Sequence, residues 1–240
     1  MYGWSRFFLS RYNCLKQPTA ASSSQIKAHT FANVTTNDSL IVFVRNLERG
    51  KVKTRLAKDI GADQALLIYQ KLVQYTKEIT RTLNSNKAVY YSDFIENNDL
   101  WDNMLYDKHL QEGNDLGERM QNAFANAFAT GQERVIIIGS DCLELETYMI
   151  KEAFAVLENN DVVLGPAKDG GYYLIGMKKF LPTLFEDKPW GTDDILMDTL
   201  LDLKRMNASY YLLKTLNDID SIEDIKNLPN FPDRKPDDWF

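Results

Sequence analysis

SLIVFVRNLERGKVKTRLA, residues 39–57, is the stretch whose reading decides the fold. Its first half, Leu40-Ile41-Val42-Phe43-Val44, is an unbroken apolar run rich in β-branched side chains, the pattern of a strand buried on both faces. The second half is a loop with one glycine, Gly50, and five cations, Arg45, Arg49, Lys51, Lys53 and Arg55. A buried strand that ends in a cationic loop and then a helix predicts a phosphate site in an α/β sheet. A solvated cationic turn that only opens a helix fits the same residues. The GxxxxGK[ST] spacing is absent, so the loop is not a P-loop.

Composition narrows the field around this stretch. The 240 residues, 44% apolar, suit one large α/β domain or two small ones with a substantial core. A net charge of −6 argues against a general nucleic-acid or anionic-membrane surface, and no apolar run approaches the length of a membrane span. Two cysteines without paired spacing, Cys14 and Cys142, argue against a disulfide framework or a zinc site and favour a reducing compartment. With only His29 and His109 present, a Ser-His-Asp or Cys-His mechanism has little to draw on. Residues 1–37 contain Arg6, Arg11, Lys16 and Lys27 but no acid, and are rich in Ser and Thr, the composition of a transit peptide or of a plain flexible leader. The expected location is cytoplasmic, or organellar if that leader is a transit peptide. The domain is placed at 38–228 and an irregular tail, with three prolines and three aspartates, at 229–240.

Within the domain, helical spacing covers Gln64–Leu83, Leu116–Ala129 (stopped by Gly131), about Glu146–Glu158, Asp193–Met206 and Ser221–Leu228, the last opening with a capping pattern from Ser221 to Asp224. Strands are expected at Ala88–Tyr91, Val135–Ile138, Asp161–Leu164, Tyr172–Gly176 and Tyr210–Leu213, and a loop with a short helix around Trp101 at Phe94–Lys108. Strands alternating with helices give one doubly wound, mostly parallel sheet.

Ligands in such a sheet bind at the carboxyl ends of the strands, so those ends hold the candidates. They are the Arg45–Arg55 loop, Ser92–Asp93, Ser140–Asp141 and Lys168–Gly171. Lys53 and Arg55 suit phosphate oxygens, and Gly50 suits a tight turn. Asp141 emerges where the apolar core ends, placed to hold Mg2+ or Mn2+ beside substrate phosphates, or to cap the following helix. Gly170 and Gly171 offer positive φ or room for a ligand, and Asp169 an acceptor-orienting carboxylate, unless the segment is only a hairpin turn. Asp218 is a possible second metal ligand, while Asp220 is more simply a turn or cap residue. Trp190-Gly191-Thr192 offers an acceptor platform, or core packing for the Trp.

The ordered set GKVKTRLA, QEGNDLGERM, IIIGSDC, DVVLGPAKDGGYYLIGM, PWGTDD and NDIDSIEDI, spanning about Leu40 to Leu228, resembles a bacterial family of small glycosyltransferase-A-like proteins of the nucleotide-diphospho-sugar transferase superfamily. It is similar, more distantly, to 2-phospholactate guanylyltransferases and the molybdenum-cofactor nucleotidyltransferases. The resemblance implies a Rossmann-like α/β fold and a divalent metal, Mg2+ or Mn2+, at Asp141 with Asp218 at the late acidic position. It makes Asp169, Lys53 and Arg55 the catalytic candidates, and Arg45, Gly50, Lys53, Arg55, Gly113, Gly170 and Gly171 the nucleotide-binding set. Two features depart from the pattern: Leu143 stands where proline usually follows the SDC motif, and the leader lies outside it. The implied activity is metal-dependent glycosyl transfer from a nucleotide-diphosphate sugar to a small-molecule acceptor. The alternatives are nucleotidyl transfer from a nucleoside triphosphate to a phosphorylated acceptor and a non-catalytic nucleotide-binding module.

Overall fold

A computed structural model describes residues 37–226 and Leu228. The expected tail and, Asn37 apart, the expected leader lie outside the described residues. The apolar run forms β1 (Asp38–Val44), and its neighbours in sequence order are α1 (Thr54–Ile60), α2 (Ala62–Thr80), β2 (Asn86–Tyr91), β3 (Asp107–Leu110), α3 (Leu116–Ala129) and β4 (Arg134–Ile138). There follow α4 (Thr147–Val156), β5 (Val162–Pro166), β6 (Tyr172–Met177), α5 (Ile195–Arg205), β7 (Tyr210–Leu212) and α6 (Ile222–Lys226). They build one seven-stranded sheet in the order β3-β2-β1-β4-β6-β5-β7.

β1 is central, with β2 and β4 pairing in parallel on its two sides. Its alternate residues enter two cores. Leu40, Val42 and Val44 pack with Leu56, Ile68 and Leu72 of α1 and α2, while Ile41 and Phe43 pack with Met120 and Phe124 of α3. That two-sided burial is why the strand reads as continuously apolar. β4 repeats it, with Ile136 and Ile138 in the first core and Val135 and Ile137 in the second.

The sheet is mostly, not wholly, parallel: β6 runs antiparallel to both β4 and β5. Two reversals restore the direction, so β5 ends at the same edge as β1 and β4, and the β5–β6 turn sits beside them. Because β1 has β2 on one side and β4 on the other, the strand order reverses there and a crevice opens at the carboxyl edge.

Three local expectations are corrected. The helix expected from Gln64 begins earlier, at Ala62, and is separated from the unforeseen α1 by Gly61 at φ 87°. Its apolar period runs on to Leu83, which is buried from the turn beyond the helix end. No helix forms around Trp101: carboxylates of Asp99 and Asp102 accept the backbone N–H groups of Trp101 and Met104, bonds that compete with a helix. Finally, β3 was not legible, because Asp107-Lys108-His109-Leu110 is an exposed edge strand with no apolar face to impose a period.

Candidate active site

The site begins where β1 ends. Asn46, buried, holds the loop to the end of β2 by donating to the Phe94 carbonyl (2.8 Å) and accepting from Asp93 N (3.0 Å). Ser92 is drawn into that same contact, its hydroxyl accepting from Asn46 N at 3.2 Å. The loop then turns at Gly50, φ 78°, closed by the Lys51 N–H on the Glu48 carbonyl at 3.1 Å. Val52 plugs into the core, and the chain passes through Lys53 in a left-handed conformation (φ 46°, ψ 47°) before entering α1. The Lys53 carbonyl accepts the Ala57 N–H at 2.8 Å, so this residue both caps α1 and turns its own side chain inward.

The inward turn places the ammonium between two acids. Lys53 Nζ lies 3.0 Å from Asp141 Oδ2 and 2.7 Å from Asp220 Oδ1, and 5.9 Å from the centre of the Tyr69 ring. Its side chain is only 4% exposed, whereas those of Asp141 and Asp220 are 40% and 45% exposed. Burial pulls the Lys53 pKa down, but the two carboxylates outweigh it and hold the group above its ordinary value. The lysine is therefore charged at neutral pH.

Tyr69 of α2 fastens the two strand ends behind this pair: its hydroxyl accepts from Arg45 N (2.8 Å) and shares a hydrogen bond with Ser140 Oγ (2.9 Å). Burial pushes its phenol up to about 12, so it serves as a neutral hydrogen-bonding strut.

The late acidic segment arrives by a different route. After β7, which pairs with β5, the chain continues alongside the end of β5, with Leu216 N on the Pro166 carbonyl and Lys168 N on the Leu216 carbonyl, both at 3.0 Å. Ile219 N then bonds the Asp141 carbonyl at 3.0 Å, and Cys142 Sγ contacts the Asn217 carbonyl at 3.5 Å. Cys142 is a buried packing residue whose thiol burial pushes up, which keeps it unreactive. Asp218 is left with a buried Oδ1 that has no hydrogen-bond partner. Burial first, and then the nearby Asp141 carboxylate, push its carboxyl up to about 7.

One cavity of about 450 Å³ collects these groups, its lining including Arg45, Lys53, Arg55, Asp141, Asp169 and Asp218. Gly171, Trp190 and Thr192 also reach it. Of the five loop cations, Arg49 is paired with Asp63 (2.6 Å), Lys51 with Glu48 (2.9 Å), and Lys53 with the two acids above. Among the described residues Arg45 and Arg55 carry no ion pair, and both are exposed toward the cavity. Asp169 accepts the Gly171 N–H at 3.0 Å and remains exposed.

Three of the expected nucleotide-binding glycines lie outside the lining of this cavity. Gly50 serves the loop turn. Gly113 (φ 143°) leaves room for the first turn of α3, since a Cβ there would sit 2.7 Å from Glu118 Cβ. Gly170 (φ 87°) admits the chain before α5, because a Cβ would stand 1.9 Å from the Asp193 carbonyl oxygen. Trp190 packs against Phe185 (6.4 Å, 20°) and over Gly117, where a Cβ would meet its Nε1 at 2.1 Å.

Sequence reasoning missed Asp220 as a partner of Lys53. The N–H of Asp220, with the N–H and hydroxyl of Ser221, bonds the Asp224 carboxylate, so Asp224 is the capping acid and Asp220 is free to face Lys53. Four acids in NDIDSIED were the available signal, but nothing in it ranks them. Tyr69 was missed too, since it occupies a regular apolar position of α2.

The residues present fit a hard divalent cation: the unpartnered oxygen of Asp218 lies close enough to Asp141 for the two charges to disfavour each other, a tension that a cation relieves. Among the described residues no cage of three or more His, Cys, Asp or Glu side chains is preformed.

Fold and site together define a transferase with the nucleotide-diphospho-sugar transferase fold. A crystal structure from Desulfovibrio desulfuricans G20, provisionally named a nucleotide-diphospho-sugar transferase, is 31% identical, with 84% of this chain and 93% of that one covered and a TM-score of 0.75. The family described as "Uncharacterized protein conserved in bacteria (DUF2064)" matches residues 74–192, and the chain belongs to that family. The inositol-1-phosphate CTP transferase from T. maritima is 14% identical (82% and 93% covered, TM-score 0.49), and a 4-diphosphocytidyl-2C-methyl-D-erythritol synthase from Anaerococcus prevotii DSM 20548 is 10% identical (79% and 92%, 0.48). Similarity at that level says nothing about what this chain binds. None of the curated proteins matches the sequence. No helix among the described residues is long and apolar enough to cross a membrane.

Proposed function

We propose that this protein is a metal-dependent transferase that takes a nucleotide-diphosphate sugar as donor and passes the sugar to a hydroxyl of a small-molecule acceptor. The observation that carries the reading is the pair of unengaged guanidinium groups, Arg45 and Arg55, lining one cavity with the carboxylates of Asp141, Asp169 and Asp218. Two free cations match a diphosphate; the other three loop cations are already neutralised by acids. The relative from Desulfovibrio, whose name is that of a nucleotide-diphospho-sugar transferase, supports the same reading.

Arg45 and Arg55 hold the diphosphate oxygens, each fork suited to two of them, and so set the register of the donor and neutralise charge that builds on the leaving group. Asp141 and Asp218 would hold Mg2+ or Mn2+, which when bound supplies a Lewis acid at the diphosphate. Asp169, exposed on the β5–β6 turn, orients the acceptor hydroxyl and takes its proton as the new glycosidic bond forms. Trp190, backed by Phe185, offers an apolar wall on which an acceptor ring can rest. Nucleotidyl transfer is the competing reading, because five cations follow β1, but among the described residues only two of the five are unpaired, one fewer than the phosphates of a triphosphate.

A thermal-shift panel of nucleotide sugars and nucleoside triphosphates, each with and without Mg2+ or Mn2+, tests the proposal. Ligand at a hundredfold excess over Kd adds about 2.7 kcal/mol, roughly 5–10 °C for a domain of this size. A metal-dependent shift with a nucleotide sugar is expected. A response confined to triphosphates overturns glycosyl transfer in favour of nucleotidyl transfer, and no response to any nucleotide overturns both. Asp141→Asn is expected to keep the fold and lose the metal-dependent part of the shift.

A further inference from the structure

One of the two proposed metal carboxylates is not free: Asp141 is bonded to the ammonium of Lys53, as is the adjacent Asp220. The two sides of this contact differ. The acids are 40% and 45% exposed and face the cavity, whereas the lysine side chain, 4% exposed, lies behind them over the Tyr69 ring. The backbone at Lys53 is left-handed, a conformation unfavourable for a residue with a Cβ, and it persists because Val52 is buried ahead of it and α1 starts after it. The fold thus commits a strained position to holding one cation against these acids.

We propose that Lys53 is a resident counter-cation that stands in for the divalent ion, making metal entry conditional on the phosphates of the donor. This rests on the metal-dependent reading above. Mg2+ bonds carboxylate oxygen at about 2.0–2.1 Å, whereas Lys53 Nζ already stands 3.0 Å from Asp141 Oδ2. Both cations on one oxygen repel strongly in a partly desolvated site. A bound diphosphate removes the conflict. The ammonium exchanges its carboxylates for phosphate oxygens beside Arg45 and Arg55, and Asp141 and the unpartnered Asp218 oxygen become available together. The phosphates that take up the ammonium free the acids for the ion, so metal and diphosphate favour one another through Lys53, and the favour is reciprocal. Without phosphates the ammonium keeps the acids paired, which suppresses idle loading of the site.

The test is Mn2+ binding followed by electron paramagnetic resonance, with no phosphate present, on the wild type, Lys53→Met and Lys53→Arg. Lys53→Met is expected to bind Mn2+ at least tenfold more tightly than the wild type, and Lys53→Arg, which keeps the charge, to bind it as weakly as the wild type. Adding inorganic pyrophosphate is expected to raise Mn2+ affinity by a larger factor in the wild type than in Lys53→Met; the solution complex of Mn2+ with pyrophosphate is common to both and cancels. Lys53→Met binding Mn2+ no more tightly than the wild type, or Lys53→Arg as tightly as Lys53→Met, overturns the proposal while leaving the metal site standing if Mn2+ with pyrophosphate still binds. Failure of Mn2+ to bind any of the three, with or without pyrophosphate, overturns the metal reading and this proposal with it. If Lys53→Met does not fold, the 15N signal of the Lys53 ammonium in the wild type decides. A shift with Mg2+ and pyrophosphate together but not with Mg2+ alone supports the exchange, and an equal shift with Mg2+ alone overturns it.

Discussion

Asp218→Asn should stabilise the protein at alkaline pH while abolishing its function. The carboxyl is held at about 7 instead of its ordinary 3.8, by burial and then by Asp141. Between those two values the folded state keeps a proton that the unfolded chain has lost. Stability therefore falls as pH rises through the window, and the full penalty is in place above pH 7. Three units at about 1.4 kcal/mol each set an upper limit on the order of 4 kcal/mol, and relaxation of the partly open site reduces the expected gain to about 2 kcal/mol, or roughly 4–8 °C in Tm. Asparagine has the same shape and never ionises, so the gain should be largest at pH 8, smaller at pH 5 and lost only below the ordinary carboxylate range. Asp161, Asp202 and Asp224, whose values are lowered, act in the opposite sense: their contribution is present above the ordinary carboxylate range and lost as pH falls. They are common to both proteins and cancel in the difference. The assay is urea unfolding of wild type and variant at the two pH values, without divalent metal. A variant that is no more stable than the wild type at pH 8, or whose advantage is the same at pH 5, would refute the burial and charge assigned to Asp218.

Three further outcomes follow from the same geometry. Arg45→Ala and Arg55→Ala should each weaken pyrophosphate binding in the presence of Mg2+ about tenfold, worth ~1.4 kcal/mol, with unfolding midpoints unchanged; calorimetric titration checks this, and unaltered affinity removes them from the clamp. Gly170→Ala should cost about 2 kcal/mol or more in urea unfolding, since it combines a strained positive φ with a Cβ placed 1.9 Å from the Asp193 carbonyl oxygen. Gly117→Ala displaces Trp190, whose Nε1 would lie 2.1 Å from the new Cβ. It should raise the KM for the acceptor severalfold with little change in donor binding, and an equal effect on both substrates would count against Trp190 as the acceptor wall.

Much of the fold was legible because its signals are local. β1 and β4 read as doubly buried strands from unbroken apolar runs, α3 from its period and its Gly131 stop, and the carboxyl-edge location of the site from alternating strands and helices. β3 was not, since an exposed edge strand has no buried face to write a pattern. The reversal of β6 was hidden in a short glycine turn that suits a hairpin or a ligand loop equally well. Asp141, Asp218, Asp169, Lys53, Arg45 and Arg55, which line one cavity, were nameable in advance, whereas Gly50, Gly113 and Gly170 lie outside its lining, in turns and close backbone contacts.

The sequence by itself determined that an apolar strand hands over to a cationic loop and that acids recur at later strand ends, because hydrophobic period and residue type are written along the chain. Which cations are spent and which are free was decided only by tertiary structure. Lys53 and Asp220 lie 167 residues apart, and a charge is neutralised by whatever the fold brings within a few ångströms, which no local pattern records.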